Sequence, residues 1–151
     1  MQNRDWLKDK NFSLYLGAAN YSFIYTLFRV LDNVNPQNIL EMGMGQTSKL
    51  TSQYVAYKNQ NATLDIIEND ADWIDIYQSQ LPLNERVKIH LCNLEFFEFK
   101  GVENRKYRAL DNVIKDKKYN LVIVDGPLGS RQLLPRSNTV SYTHLTLPTI
   151  L

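Results

Sequence analysis

The stretch NILEMGMGQTSKL, residues 38–50, joins a short apolar run to a turn with one acidic residue, two glycines and two hydroxyl side chains. The apolar run predicts a buried strand. The segment TSKLTSQYVAYKN, residues 47–59, predicts a helix after it, with Thr47 or Ser48 as the N-cap. Strand, glycine turn and helix together form the unit from which parallel sheets are built.

The same alternation of strand and helix continues on both sides of this unit. Apolar spacing predicts a leading helix over residues 14–34, and Pro36 ends it because proline disfavours helical geometry at Asn35. Nearly continuous apolar strands are typical of a sheet covered on both faces. The chain is predicted to be α/β, a Rossmann-like doubly wound parallel sheet of which four strands form the N-terminal half. The remaining predicted elements are strands at 63–68, 87–92 and 120–127, helices at 69–81 (capped by Asp70) and 107–117, and a loop around 93–104.

Composition limits the class of protein. The chain has 151 residues, of which 44% are hydrophobic, enough for one compact domain. Its 17 basic and 16 acidic residues are scattered, so no patch suited to nucleic acid is expected. No run approaches the roughly 18 apolar residues of a membrane span, and the start lacks a signal peptide's apolar core. We therefore expect a cytoplasmic chain without a membrane partner, with Cys92 as a buried thiol rather than a reactive one.

The last residues differ from the rest of the chain. The segment TVSYTHLTLPTIL, residues 139–151, contains no charged side chain. Its decapeptide VSYTHLTLPT resembles the translation of a transposase adapter used in sequencing libraries. We interpret residues 139–151 as a non-native tail and residues 1–138 as one incomplete domain, so His144 enters no functional argument. The alternative is a threonine-rich edge strand.

Polar residues follow each predicted strand. The carboxyl ends of parallel strands meet at one edge of the sheet, so a ligand is expected there. Glycines let a ligand approach the backbone, and the free amides at the start of the next helix favour an anionic group. The alternative is a tight turn that binds nothing. The residues at this edge are Glu41, Gly43 and Gly45, which follow the first strand, Glu68, which ends the second, Asn93, which follows the third, and Asp125, which ends the fourth.

The spacing of these residues suits an adenosine-containing cofactor. Glu68 follows Gly43 by 25 positions, close to the roughly 20 at which an acidic side chain accepts hydrogen bonds from ribose hydroxyls. Serving the N-terminus of the following helix is the equal alternative for Glu68. A dinucleotide fits less well, because Ser48 replaces the third glycine of its fingerprint and Glu41 would face the pyrophosphate. S-adenosylmethionine, with a positive centre and an ammonium group, tolerates that carboxylate better.

At these residues the chain resembles a known family. ILEMGMGQTS resembles the E/D-x-G-x-G motif of class I S-adenosylmethionine-dependent methyltransferases, LDIIEND resembles their acidic ribose-binding motif, and YNLVIVDGP resembles their fourth-strand motif. The resemblance spans residues 36 to about 130. It implies a cofactor site in which Glu41, Gly43 and Gly45 line the methionine portion, Gln46 and Thr47 stand at the helix entrance, Glu68 holds the ribose, Asn69 lies beside it, and Asn93 and Leu94 border the adenine.

The resemblance also implies the reaction: methyl transfer to a small-molecule or glycan acceptor. Asp125 is the expected catalytic residue, as a base or as one ligand of a divalent cation, and its alternative is a turn aspartate that positions cofactor. One carboxylate is not a metal site, so none is predicted. The family has seven strands and this chain supplies four, so we expect the chain alone to be inactive, with an exposed sheet edge.

Two other functions remain open on the sequence. One is a Rossmann-type NAD(P)-dependent oxidoreductase. The other is a non-catalytic nucleotide-binding module whose half-sheet is completed by a partner chain. Of the remaining polar residues, His90 is expected to be a packed or edge histidine rather than a base. Arg131 and Arg136 would meet an anionic substrate or remain solvated.

Overall fold

The computed structural model describes residues 5–13 and 20–127, and within them the chain is an α/β protein. A short π-helical turn, Tyr54–Lys58, continues the second helix. The helices are α1 (Tyr21–Val34), α2 (Gln46–Gln53), α3 (Ala71–Gln78) and α4 (Leu110–Ile114); the strands are β1 (Asn38–Met42), β2 (Thr63–Glu68), β3 (Val87–Leu91), β4 (Leu94–Phe99), β5 (Val102–Tyr107) and β6 (Leu121–Val124).

Four strands form a parallel sheet, as predicted, and their order is β3-β2-β1-β6. The strands β4 and β5 pair in a separate antiparallel hairpin. The chain moves outward from β1 to β3 and then returns to place β6 on the other side of β1. The two directions of winding therefore meet between β1 and β6, and a crevice at the carboxyl ends of strands opens at such a point.

The alternation of side chains along β1 divides the core into two clusters. Ile39 points to the face covered by α1, α2 and α3, where Leu31, Leu50 and Tyr54 are fully buried. Leu40 and Met42 point to the face covered by β5 and α4. Because both faces are covered, β1 is buried from its second residue onward, which confirms the prediction from its apolar sequence.

The predicted loop at 93–104 is wrong, because these residues form most of the β4–β5 hairpin. The segment LEFFEF pairs with VENRKY, and the reversal falls at Lys100 and Gly101, both with positive φ (52° and 75°). Two such residues make a tight hairpin turn that matches strand twist. The hairpin also includes Tyr107, which was predicted to begin a helix at 107–117. The observed helix in this region is shorter and covers only Leu110–Ile114.

The helix boundaries follow local capping chemistry. α1 is capped by Asn20, and residues 14–19 of the predicted leading helix lie outside the described residues. The helix ends at Val34, with Asn35 in the left-handed conformation. Asp70 caps α3 as predicted, accepting a hydrogen bond from the backbone of Trp73.

The N-cap prediction for α2 is wrong. The N-cap is Gly45, and Thr47 and Ser48 lie inside the first turn of the helix, where their hydroxyls donate to Glu41.

Several smaller predictions can be checked on the same part of the chain. Cys92 is buried, and burial raises the pKa of its thiol. His90 is partly buried on β3 and hydrogen-bonded to Asp65, as expected of a packed histidine. Within residues 5–13 and 20–127, no helix combines the length and apolar character needed to cross a membrane. Residues 139–151, Arg131 and Arg136 lie outside the described residues.

Candidate functional site

The glycine turn after β1 is held between the ends of two neighbouring strands. The Gly43 amide donates to the Ile67 carbonyl of β2 at 2.8 Å. From the other side, the amides of Asp125 and Gly126 donate to the Met42 carbonyl at 2.9 and 2.6 Å. The turn therefore lies at the carboxyl edge of the sheet, between the ends of β2 and β6.

The two glycines of the turn have different roles. Gly43 has φ +94°, and a Cβ there would lie 2.6 Å from the Gly126 nitrogen. The absence of a side chain at Gly43 therefore allows a close backbone contact within the protein. Gly45 is extended, with φ 179°, and a Cβ there would meet no atom within 4 Å. Sequence reasoning assigned both glycines to the approach of a ligand, but of the two only Gly45 has open space where a Cβ would lie.

Glu68, at the end of β2, links this turn to the start of α3 through hydrogen bonds to both. Its Oε2 accepts a hydrogen bond from the Met44 amide at 2.8 Å. Its Oε1 accepts from the amides of Asn69 and Asp70 at 2.6 and 3.0 Å. The contacts with Asn69 and Asp70 correspond to the alternative in which Glu68 serves a helix N-terminus. The contact with Met44 was not expected from the sequence.

Two aromatic residues of α3 bind the same turn. The Trp73 indole donates to the Met44 carbonyl at 2.8 Å, and the Gln46 side-chain amide donates to the Tyr77 hydroxyl at 2.5 Å. Their rings pack with centroids 5.0 Å apart. The helix predicted at 69–81 contains Trp73 and Tyr77, but sequence reasoning gave neither residue a contact with the turn. The signal it passed over was that each carries a polar atom needing a partner when partly buried.

Glu41 is the next-to-last residue of β1, and its side chain is fully buried on the face of the sheet that α2 covers. Its Oε1 accepts from Thr47 Oγ1 at 2.5 Å and from Ser48 Oγ at 2.7 Å, and its Oε2 accepts from Thr51 Oγ1 at 2.7 Å. Burial raises the pKa of Glu41 to about 7 against the effect of these hydrogen bonds. Contact of Glu41 with the methionine part of a cofactor stays a prediction, and its three protein partners are the new finding.

The other predicted residues lie along the same edge. Asn93 follows β3 and is exposed, and its carbonyl accepts from the Arg108 amide at 2.7 Å. Leu94 begins β4 and packs against the cluster that contains Met42. Asp125 follows β6, and its negative charge helps to raise the pKa of Glu41. The structure thus brings the glycine turn, Glu68 and Asp125 together, with Asn93 one strand further out.

A second polar cluster, missed on the sequence, lies on the β5–α4 face of the sheet. Asp65 accepts hydrogen bonds from His90, Lys117 and Tyr119 at 2.7 to 2.9 Å. It borders a cavity of about 530 Å³ that reaches Asn38 at the amino end of β1, away from the glycine turn. No group of three His, Cys, Asp or Glu side chains in the described ranges could hold a metal ion.

Comparison with known proteins adds no assignment. No protein-family model, curated protein or solved structure matches this chain. The functional argument therefore depends on the geometry at the carboxyl edge.

Proposed function

We propose that this chain is the cofactor-binding part of a class I S-adenosylmethionine-dependent methyltransferase, built on a Rossmann-like doubly wound sheet. The observation that carries the proposal is the hydrogen bond between the Met44 amide and Glu68 at 2.8 Å. It joins a glycine turn and an acidic strand end, two features suited to the two ends of one adenosyl ligand, at the edge where parallel sheets bind ligands. The acceptor would be a small molecule or a glycan.

The residues divide the binding of the cofactor between them. The open space beside Gly45 would receive the methionine part, next to the first amides of α2, which attract its carboxylate. A carboxylate has about four acceptor positions. Three backbone amides occupy positions on Glu68, so capacity for one more donor, a ribose hydroxyl, remains. Asn69 would lie beside the ribose, and Asn93 and Leu94 would border the adenine.

Electrostatics at the turn favour a cationic ligand. Glu41 and Asp125 are close enough for the charge of one to raise the pKa of the other. When bound, S-adenosylmethionine supplies an electrophilic methyl group on a positively charged sulfur. Asp125 would position the cofactor or accept a proton from a hydroxyl acceptor. The chain otherwise contributes alignment and exclusion of water, the chief sources of rate in such a displacement.

One observation favours a second candidate, an NAD(P)-dependent oxidoreductase. One of the two sequence arguments against a dinucleotide was the charge of Glu41 facing the pyrophosphate; the other was Ser48 in place of the third glycine. In the structure that carboxyl is enclosed by three hydroxyl groups and has a pKa of about 7. Its repulsion of a pyrophosphate is therefore weaker than the sequence implies.

Ligand binding to the chain itself separates the two candidates. Thermal unfolding should be measured with S-adenosylmethionine, S-adenosylhomocysteine, NAD and NADP. A ligand at 100 times its Kd stabilises the folded state by about 2.7 kcal/mol, so Tm should rise by several degrees with the adenosyl ligands alone. Stabilisation by NAD or NADP alone would replace the proposal with the oxidoreductase.

Gly45→Val provides the matched control. Its side chain fills the open space but contacts no neighbour of the ligand-free protein within 4 Å of the new Cβ. The variant should unfold like the parent without ligand and lose the rise in Tm with it. An unchanged rise would show that the ligand binds elsewhere.

A further inference from the structure

Among residues 5–13 and 20–127, the environment of Glu41 contains hydroxyl donors but no cation. Thr47, Ser48 and Thr51, all from α2, donate to its carboxylate. None of the ion pairs among residues 5–13 and 20–127 involves Glu41. A charge buried without a counter-charge is costly, so the carboxyl gains from taking up a proton.

The hydrogen-bond network can accept that proton without losing a partner. Besides Glu41 Oε2, the Thr51 hydroxyl has two backbone acceptors within reach, the carbonyl of Thr47 at 3.1 Å and that of Ser48 at 3.3 Å. When Oε2 is protonated, it donates to Thr51 Oγ1, and the threonine hydrogen turns to the Thr47 carbonyl. Both protonation states of Glu41 are therefore fully hydrogen-bonded.

The same network reaches the open side of the glycine turn. The Gly45 amide donates to Ser48 Oγ at 3.0 Å, and that hydroxyl donates to Glu41 Oε1 at 2.7 Å. A group bound beside Gly45 is thus separated from the carboxyl by the Gly45 backbone and the Ser48 hydroxyl.

The other described neighbours of Glu41 add no positive charge. Its strand partners are Ile66 on β2 and Ile123 on β6. Among the described residues, the titratable groups that interact with its charge are Asp125, which follows β6, and Tyr77 on α3. Both are neutral or negative, so the part of the chain that the structure describes places no positive charge near this carboxyl that could take the role of a cationic ligand.

We propose that Glu41 is a proton-exchanging counter-charge that adjusts the site to the charge of its ligand. It releases its proton to solvent when a cationic group binds beside Gly45, and it keeps the proton when that group is neutral. The inference rests on the proposed function and adds to it a dependence of ligand choice on pH. Near neutral pH a cationic ligand is bound with proton release, and lowering the pH weakens its binding relative to a neutral one.

Two ligands that differ by one charge test this directly. S-adenosylmethionine carries a positive sulfonium, and S-adenosylhomocysteine lacks both the methyl group and the charge. Calorimetric titrations at pH 7, in phosphate and in Tris buffer, give the number of protons released on binding. S-adenosylmethionine should release about half a proton more, as expected for a group near its midpoint.

Variants connect that difference to Glu41. Glu41→Gln mimics the protonated form and should abolish the difference in proton release. Thr51→Val keeps the carboxyl but removes one hydrogen-bond donor to its ionised form. The pH at which the two ligands differ most in proton release should therefore rise. The infrared carbonyl band of a protonated carboxylic acid, present in the ligand-free parent and absent from Glu41→Gln, should disappear between roughly pH 6 and 8.

The outcomes distinguish the two proposals. Equal proton release with both ligands would overturn the inference and leave the proposed function in place, as would the absence of a carbonyl band dependent on Glu41. Binding of neither ligand, seen as no heat, would reject the proposed function and with it the coupling.

Discussion

Gly43 and Gly126 touch through their backbones. A Cβ on Gly43 would lie 2.6 Å from the Gly126 nitrogen, and one on Gly126 would lie 2.6 Å from the Gly43 Cα. This contact joins the turn after β1 to the segment after β6. The space left open for a ligand therefore depends on a pair of glycines distant in sequence.

The first prediction compares Gly43→Ala with Gly45→Ala. Gly43→Ala should lower the free energy of unfolding by at least about 2 kcal/mol, since it combines a positive φ with a backbone clash. Gly45→Ala, in extended backbone facing open space, should change it by less than about 0.5 kcal/mol. Urea denaturation followed by circular dichroism measures both. Equal losses would contradict the assigned roles.

The second prediction concerns stability against pH. The pKa of Glu41 is raised from 4.5 to about 7, so the folded protein binds more protons than the unfolded one between these values. Stability from this group is complete below pH 4.5 and is lost as pH rises to 7, by on the order of 3 kcal/mol. Relative to the parent, Glu41→Gln should gain stability between pH 5 and pH 8 in urea denaturation. Glu98→Gln, at an exposed position, is the control and should follow the parent.

The third prediction concerns acid unfolding. Burial raises the pKa of Asp65, but hydrogen bonds from His90, Lys117 and Tyr119 outweigh it and lower that pKa from 3.8 to about 2. The resulting stability is present above pH 3.8 and disappears as pH falls towards 2. Asp65→Asn should cost roughly 2 kcal/mol at pH 7 and flatten the acid limb of the stability curve.

Circular dichroism at fixed urea and decreasing pH follows that acid limb. Asp116→Asn, at an exposed position in the loop before β6, should leave it unchanged. A parent-like acid limb in Asp65→Asn would show that the three donors do not lower the carboxyl pKa.

The fourth prediction separates positioning of the turn from stability of α3. Trp73→Phe removes the indole donor to the Met44 carbonyl and keeps an aromatic ring against Tyr77. It should cost about 1 kcal/mol of folding stability and also weaken ligand binding several-fold. Asp70→Ala removes the N-cap of the same helix, should cost about 1 kcal/mol, and should leave ligand affinity unchanged. If both variants bind the ligand with equal affinity, Trp73 does not position the turn for binding and contributes only packing.

The strands of the sheet were predictable because their apolar sequences match burial on both faces, and Asp70 was recognisable as a cap from its position before a helical pattern. The hairpin was missed even though LEFFEF and VENRKY flank a Lys-Gly pair. Neither segment alternates strictly between apolar and polar residues, because Phe96 and Phe97 are adjacent and residues 103–106 are all polar, and both strands are only partly buried. Their sequence pattern is therefore weaker than that of the parallel strands.

The candidate site was predictable in position but not in detail. Parallel strands necessarily bring Gly43, Glu68 and Asp125 to one edge. The partners of Glu41 depend on how α2 is rotated over the sheet, and tertiary packing decides that rotation. A partial signal existed, because Thr47 and Thr51 are four residues apart and so share one face of a helix.

The burial of Glu41 also bears on how the chain chooses its strand pairing. In the observed register Glu41 stands beside Ile66 and Ile123 and meets the hydroxyls of α2. Shifting β1 by one residue would turn the carboxyl to the opposite face, among the apolar side chains around Leu110, while the hydrophobic content of the strand stayed the same. Strands made almost entirely of apolar residues can pair in a shifted register during folding. Burying the Glu41 carboxyl among apolar side chains destabilises the shifted register, so this single acidic residue helps to specify the pairing of the central strand.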